Sequence, residues 1–210
     1  MGDREGFRYP SSMMERSGAW IGLSEKKVFG VLSKGRDRES VHKALDEMLK
    51  DGGSVLVVDG WERNLVHISV ESGSSVSLAA LLSHDSFDAT LMDAKDVDGS
   101  TPLAVAAELG NVDAVRLLLS EGMDVNVSDK KGWTPLHFAA TTGRNDMAAE
   151  LLSAGADPEA VDNGGASVVT LALNSWIPNP DMVEMLKSVI DGKALECVAS
   201  KGVSPPTPSV

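Results

Sequence analysis

The feature that most constrains this chain is a repeated step of 33 residues. Thr101-Pro102-Leu103 returns as Thr134-Pro135-Leu136, and the same step separates Leu118 from Leu151, Gly110 from Gly143 and Gly122 from Gly155. One unit of this size cannot bury an apolar face alone, so copies of it must stack. Within the unit, the threonine hydroxyl accepts from the free N–H groups at a helix start. The proline beside it fits the first helical position, where its missing N–H has no partner to lose. Leu136, Phe138, Ala139 and Ala140 give this helix an apolar face, and Gly143 supplies a left-handed stop. A second helix turns Leu151 and Leu152 inward and stops at Gly155, while Asp129 and Gly132 frame a tight turn ahead of the pair.

A turn and two helices at this period resemble the ankyrin repeat family, whose motif reads Thr-Pro-Leu-His-x-Ala. Thr134 to Ala139 match it in full, and Thr101 to Ala106 match except that Ala104 stands where the histidine would be. The resemblance implies an all-α ankyrin-repeat solenoid of stacked helix-turn-helix pairs with short finger loops. It is closest over Asp96 to Val161 and looser from Ser24 to Ile190.

Residues 1–19, rich in Gly, Ser, Arg and Glu, are expected to form a flexible N-terminal arm. The repeat domain is placed at 20–192, with a capping unit over 24–52 and repeats over about 60–95, 96–128, 129–161 and 162–192. Asn64, Thr101, Thr134 and Ser167 are all good helix N-caps, one at each required step, and together they argue for five helix pairs. In the capping unit, Gly35 to Met48 spans 13 residues against 8 for Gly143 to Leu151, which predicts five extra residues ahead of the second helix. Asn64 to Thr101 spans 37, and the connector from His84 to Asp98 has room for the four extra residues. Val55 to Val58 reads as an extended loop. In the last unit Val168 replaces the proline, Thr170 the histidine and Trp176 the terminating glycine, so either its first helix fails to form or its inter-helix loop lengthens through Ile177, Pro178, Asn179 and Pro180. Residues 193–210 form a tail, disordered by composition from about 202.

Net charge is −12, from 19 basic and 31 acidic side chains. An acidic surface repels phosphate backbones, so nucleic acid is excluded as a partner. No apolar run is long enough to span a bilayer, so no membrane partner is expected. Cys197 is the single cysteine, which suits a reducing compartment, and the N-terminus lacks the apolar core of a secretory signal. The expected location is cytoplasmic, with the nucleus open, and the expected state is a monomer.

No arrangement of residues points to catalysis. His42, His67, His84 and His137 do not pair at metal-ligand spacing, so no metal and no cofactor is expected. His67 and His137 stand at the family's motif histidine, which the resemblance implies bonds a neighbouring turn. Asn163-Gly164-Gly165 is a turn and not a phosphate cradle. Glu108, Asp113 and Glu150 read as solvated helix faces. Leu118 followed at a distance by Asp124-Val125-Asn126 resembles sites for an asparaginyl hydroxylase and points to Asn126, but the same tripeptide is the family's connector, which is the preferred reading.

The family binds through its fingertips and the inner-helix face. On this sequence that assigns Lys130, Lys131, Trp133, Thr141 and Thr142 in the clearest repeat, and Val97, Asp98, Ser100, Glu108 and Leu109 in the one before. Asn163, Gly164, Ala166, Asn174 and Ser175 continue the row, and Trp61 extends it. Trp133 is expected either to anchor a partner or to pack on the adjacent finger. The implied function is a non-catalytic protein–protein interaction module. The alternative is an adaptor or regulatory subunit of an enzyme assembly, of the ubiquitin-ligase substrate-receptor or kinase-inhibitor type.

Overall fold

A computed structural model describes residues 23–35, 37–174 and 179–192. The expected arm over 1–19, the tail over 193–210, Cys197 and Ser175 lie outside the described residues. Among the described residues, ten α-helices form five consecutive pairs: α1 (Leu23–Leu32) with α2 (Arg38–Lys50), α3 (Leu65–Glu71) with α4 (Ser75–Leu82), α5 (Pro102–Leu109) with α6 (Val112–Ser120), α7 (Pro135–Thr142) with α8 (Asn145–Ser153), and α9 (Val168–Asn174) with α10 (Pro180–Ile190). The odd-numbered helices pack in a row from α1 to α9 and form the inner layer; the even-numbered ones pack in a second, outer row from α2 to α10. This is the all-α solenoid that the repeat period predicts.

The two rows have different chemistry. Inner helices meet through Leu103, Ala106 and Ala107, then Leu136, Ala139 and Ala140, all with no exposed surface. Alanine lets short helices approach closely and lie side by side. Outer helices fill the remaining space with Leu81, Leu118 and Leu151, and each is buried to within 1%. Because each leucine sits between two repeats, its burial depends on the neighbouring unit.

The inner helices α3, α5, α7 and α9 each start on a cap. Asn64 Oδ1 accepts from the Val66 and His67 N–H groups at 3.0 and 3.1 Å, and Thr101 Oγ1 from Ala104 N–H at 3.4 Å. Ser167 Oγ accepts from Thr170 N–H at 3.2 Å. At Thr134 the partner is a side chain: its N–H donates to His137 Nδ1 at 3.1 Å. The glycines after α1, α3, α5 and α7 (Gly35, Gly73, Gly110 and Gly143) are left-handed. At Gly110 it is the φ of 71° that demands glycine; the guanidinium of Arg144 from the next repeat lies against its α-carbon, in the space a Cβ would take.

Two expectations change. Four of the five extra residues of the first pair lengthen the helix itself and not the loop after Gly35. Asp37 caps α2 immediately, and α2 runs 13 residues against 9 for α8. Its apolar positions Val41, Ala44, Leu45 and Met48 continue one face, so helix extension buries surface that a loop would leave unused. Glu150 is no solvated carboxylate: it is 7% exposed and accepts from Arg116 Nε of α6 at 2.8 Å. The connector after α4 holds the four extra residues of its repeat. It contains a 3-10 turn over Ala89–Leu91, and Leu91 and Met92 are buried beneath it.

Candidate partner-binding surface

The fingers between pairs are built on a periodic aspartate. Asp59, Asp96, Asp129 and Asp162 each turn Oδ1 onto two backbone N–H groups two and four residues ahead, at 2.8–3.0 Å. In each case the aspartate N–H also donates to the carbonyl four residues on, at 2.9–3.0 Å, closing a tight loop. The carboxylate does for the finger what a cap does for a helix: it satisfies donors that the turn leaves free.

Successive fingers are then tied to one another. Val97 N–H donates to Trp61 O at 2.9 Å, Lys130 N–H to Asp98 O at 3.0 Å, and Asn163 N–H to Lys131 O at 2.9 Å. At the last contact Gly132 permits the close approach, since a Cβ there would lie 2.7 Å from Asn163 Oδ1. Four fingers thus make one hydrogen-bonded ribbon along the edge of the inner helices.

The residue just before each inner-helix cap braces its finger, and its identity varies. In the first finger Arg63 donates from Nε to Asp59 at 2.9 Å and from a terminal nitrogen to both oxygens of Glu71 at 2.6 and 2.8 Å, with Trp61 4.6 Å from its guanidinium carbon. In the third finger Trp133 takes this place. Its Nε1–H donates to Asp162 Oδ2 at 3.1 Å, and its ring packs on Phe138 at 5.2 Å and His137 at 6.4 Å between centroids. Trp133 is half-buried, with one side on its own helix and its N–H on the next finger. In the fourth finger Ala166 fills the position.

Asp98, Lys130, Lys131, Glu108 and Thr142 are exposed, Val97 and Thr141 are half-buried, and Leu109 is 49% exposed. Asn163, Gly164 and Asn174 are exposed, whereas Ala166 and Trp61 are half-buried. Ser100 departs from expectation: it is 7% exposed, and its carbonyl accepts from His67 Nε2, so its side chain is not offered to a partner. The hydroxyls of Thr141 and Thr142 donate to His137 O and Phe138 O of their own helix at 2.9 and 2.8 Å. Lys130 Nζ is drawn to Val97 O at 2.6 Å.

The two lysines stand among carboxylates. Partial burial, reinforced by Asp96, Asp98 and Asp129, pushes the Glu108 carboxyl above the usual carboxylate range, against the pull of Lys131. Asp162 goes the other way, held down first by Ala166 N–H and also by the Trp133 and Gly164 donors. Burial lowers the imidazoles of His67 and His137, so both favour the neutral form. Their Nδ1 atoms sit on the caps Asn64 and Thr134, which is structural work. Asn126 bridges repeats, donating to Gly155 O at 3.2 Å and accepting from Asp157 N–H at 2.9 Å.

The aspartates of the fingers carry the surface geometry; in the sequence Asp129 marks a turn, while Asp96 and Asp162 read as unit boundaries. Their signal was present, since Asp96, Asp129 and Asp162 recur at the same step of 33 as the caps. Among the described residues, no group of three His, Cys, Asp or Glu could hold a metal ion, and no helix is long and apolar enough to cross a membrane.

Comparison with known proteins agrees with this architecture. A family model described as ankyrin repeats (3 copies) matches residues 36–129 and 66–162. Delta-latroinsectotoxin-Lt1a of Latrodectus tredecimguttatus is 34% identical over 88 residues, a stretch covering 40% of this chain and 7% of the toxin. The chain therefore spans only a small part of that curated relative. Ankyrin repeats are in general protein–protein interaction modules. With its repeat period, its braced fingers and its two helical rows, this chain belongs to the ankyrin repeat family.

Proposed function

We propose that this chain is a non-catalytic module that binds a partner protein across its fingertips and the C-terminal ends of its inner helices. The observation that carries this reading is the hydrogen-bonded ribbon of four fingers. It presents Asp98, Lys130 and Lys131 from a fixed backbone beside Glu108 and the exposed Leu109. A preorganised surface loses little freedom on binding, which is where affinity is won. Leu109 supplies an apolar contact. Asp96, Asp98, Asp129 and Glu108 outnumber Lys130 and Lys131 around it. The segment that fits is therefore basic with an apolar side chain, and not the acidic one that the two lysines suggest by themselves.

Trp133 serves this surface by bracing the third finger against Asp162, and its exposed edge contributes to the contact. The test uses a partner recovered by co-purification from native cells. Leu109→Ala and Glu108→Gln should weaken binding while leaving folding free energy within about 0.5 kcal/mol, as expected of surface sites. Raised salt should slow association with the intact protein. Trp133→Ala should lose both stability and affinity. Binding that survives Leu109→Ala and Glu108→Gln unchanged, yet is lost on substituting Val76 of the outer layer, would overturn the assignment.

A further inference from the structure

The fourth fingertip carries a dipeptide that binding does not explain. Of the asparagines in the chain, Asn163 is the one followed by glycine. We propose that Asn163 is a self-modification site. The backbone nitrogen of Gly164, on losing its proton, attacks the side-chain carbonyl carbon of Asn163 and ammonia leaves, closing a five-membered succinimide. Water then opens the ring at either carbonyl, giving aspartate or, with the backbone rerouted through the side chain, isoaspartate. The step needs only hydroxide to remove the proton and water to open the ring.

The structure says why this position reacts and what restrains it. Gly164 has no side chain to shield its nitrogen, and both residues are exposed on the tip. Two contacts must open first. Gly164 N–H donates to Asp162 Oδ1 at 2.9 Å, and Asn163 Nδ2 donates across to Lys130 O at 2.9 Å. Each is a single hydrogen bond at a solvent-facing loop, where local opening is frequent. Three other asparagines are worse placed. Val127 follows Asn126, and its branched side chain hinders attack, while the Asn126 amide is held from both ends. Pro180 follows Asn179 and has no N–H to become a nucleophile. Asn64 is fully buried.

The product changes the surface. A carboxylate at 163 cannot donate to Lys130 O and instead faces that carbonyl oxygen, so one of the ties between the third and fourth fingers, the side-chain bond, is lost. Isoaspartate adds a backbone atom between the residue-163 α-carbon and Gly164, inside the loop that Asp162 closes, which breaks the register of the Gly164 and Ala166 N–H groups with Asp162 Oδ1. The reaction thus acts as a clock that loosens the end of the ribbon and adds negative charge beside Lys130 and Lys131.

The test ages the full chain at mildly alkaline pH, digests it, and reads deamidation and isoaspartate peptide by peptide with mass spectrometry. Asn163 should convert severalfold faster than Asn126 and Asn179 in the same sample. Gly164→Ala should suppress that conversion. Gly164 is absent from the positive-φ glycines, and an alanine Cβ there meets nothing nearer than Asp162 Oδ1 at 3.3 Å, so this variant keeps the fold. Asp162→Ala, which frees the Gly164 nitrogen, should accelerate it. In Asn163→Asp, hydrogen exchange at the 163 amide should quicken while the α5 and α7 amides keep their protection. Conversion of Asn163 no faster than that of Asn126, or insensitive to Gly164→Ala, overturns the proposal.

Discussion

Leu151→Ala tests the stacking register most directly. Leu151 lies on α8 with no exposed surface, one repeat beyond Leu118 and also fully buried. Truncation removes three carbons, worth about 0.8 kcal/mol each in transfer alone. The surroundings are helices pinned by their own caps, so the cavity should not collapse fully, and the loss should reach roughly 3–5 kcal/mol. A domain's whole margin is about 5–15 kcal/mol, so the variant should remain folded but visibly weakened. Urea unfolding should be followed twice, by far-ultraviolet circular dichroism for all helices and by tryptophan fluorescence, to which Trp133, in the finger just ahead of the neighbouring α7, contributes. In a linear stack the loss can appear locally, as earlier unfolding of the last two pairs, with the fluorescence midpoint falling ahead of the dichroism midpoint. A loss below about 1 kcal/mol, with coincident midpoints, would refute the register that aligns Leu151 with Leu118.

Thr134→Ala should cost about 0.5–2 kcal/mol. A double-mutant cycle with His137→Ala should show clear coupling, because both residues share one hydrogen-bond system; additive losses would argue against it. His67 and His137 are both held below the ordinary value of 6.5, so the unfolded chain binds protons first as pH falls. Stability should be full above about pH 6.5 and decline below it, until the folded values are passed. Glu108, whose folded value is raised above 4.5, has the opposite sign and favours folding as it protonates, so urea midpoints should fall less steeply in that lower window. Replacing His67 by Gln should flatten the decline in the upper window, and an unchanged profile would show that the imidazole does not drive it. Arg116→Ala strands the buried Glu150 carboxylate and should cost roughly 1–3 kcal/mol, near the lower end because Arg116 is itself exposed to water. Adding Glu150→Ala should recover part of the loss in thermal midpoint, and no recovery would mean that the pair is not coupled.

The sequence alone determined the period, the helix starts and stops, and the family. These are local matters: a threonine before a proline, a glycine that accepts a left-handed turn, and leucines one repeat apart act through neighbours along the chain or through a repeated neighbour of the same kind. The position of the fingers was legible for the same reason, and with it most of the exposed row from Asp98 to Thr142. Tertiary structure decided what repeats do to one another where they differ. Ser100 and Trp133 hold equivalent positions, yet one is covered by the neighbouring unit and the other reaches across to Asp162. Glu150 reads as a surface carboxylate along its own helix, yet it is buried where Arg116 reaches it from the outer helix of the preceding repeat. Lys130 and Lys131 look like a basic patch in sequence, while carboxylates from two fingers and α5 surround them in space. The extra residues of the first pair were countable, but whether they entered a loop or a helix depended on the apolar face that α2 could bury. Burial and electrostatics sum over distances in space, and along the chain those neighbours are a whole repeat away.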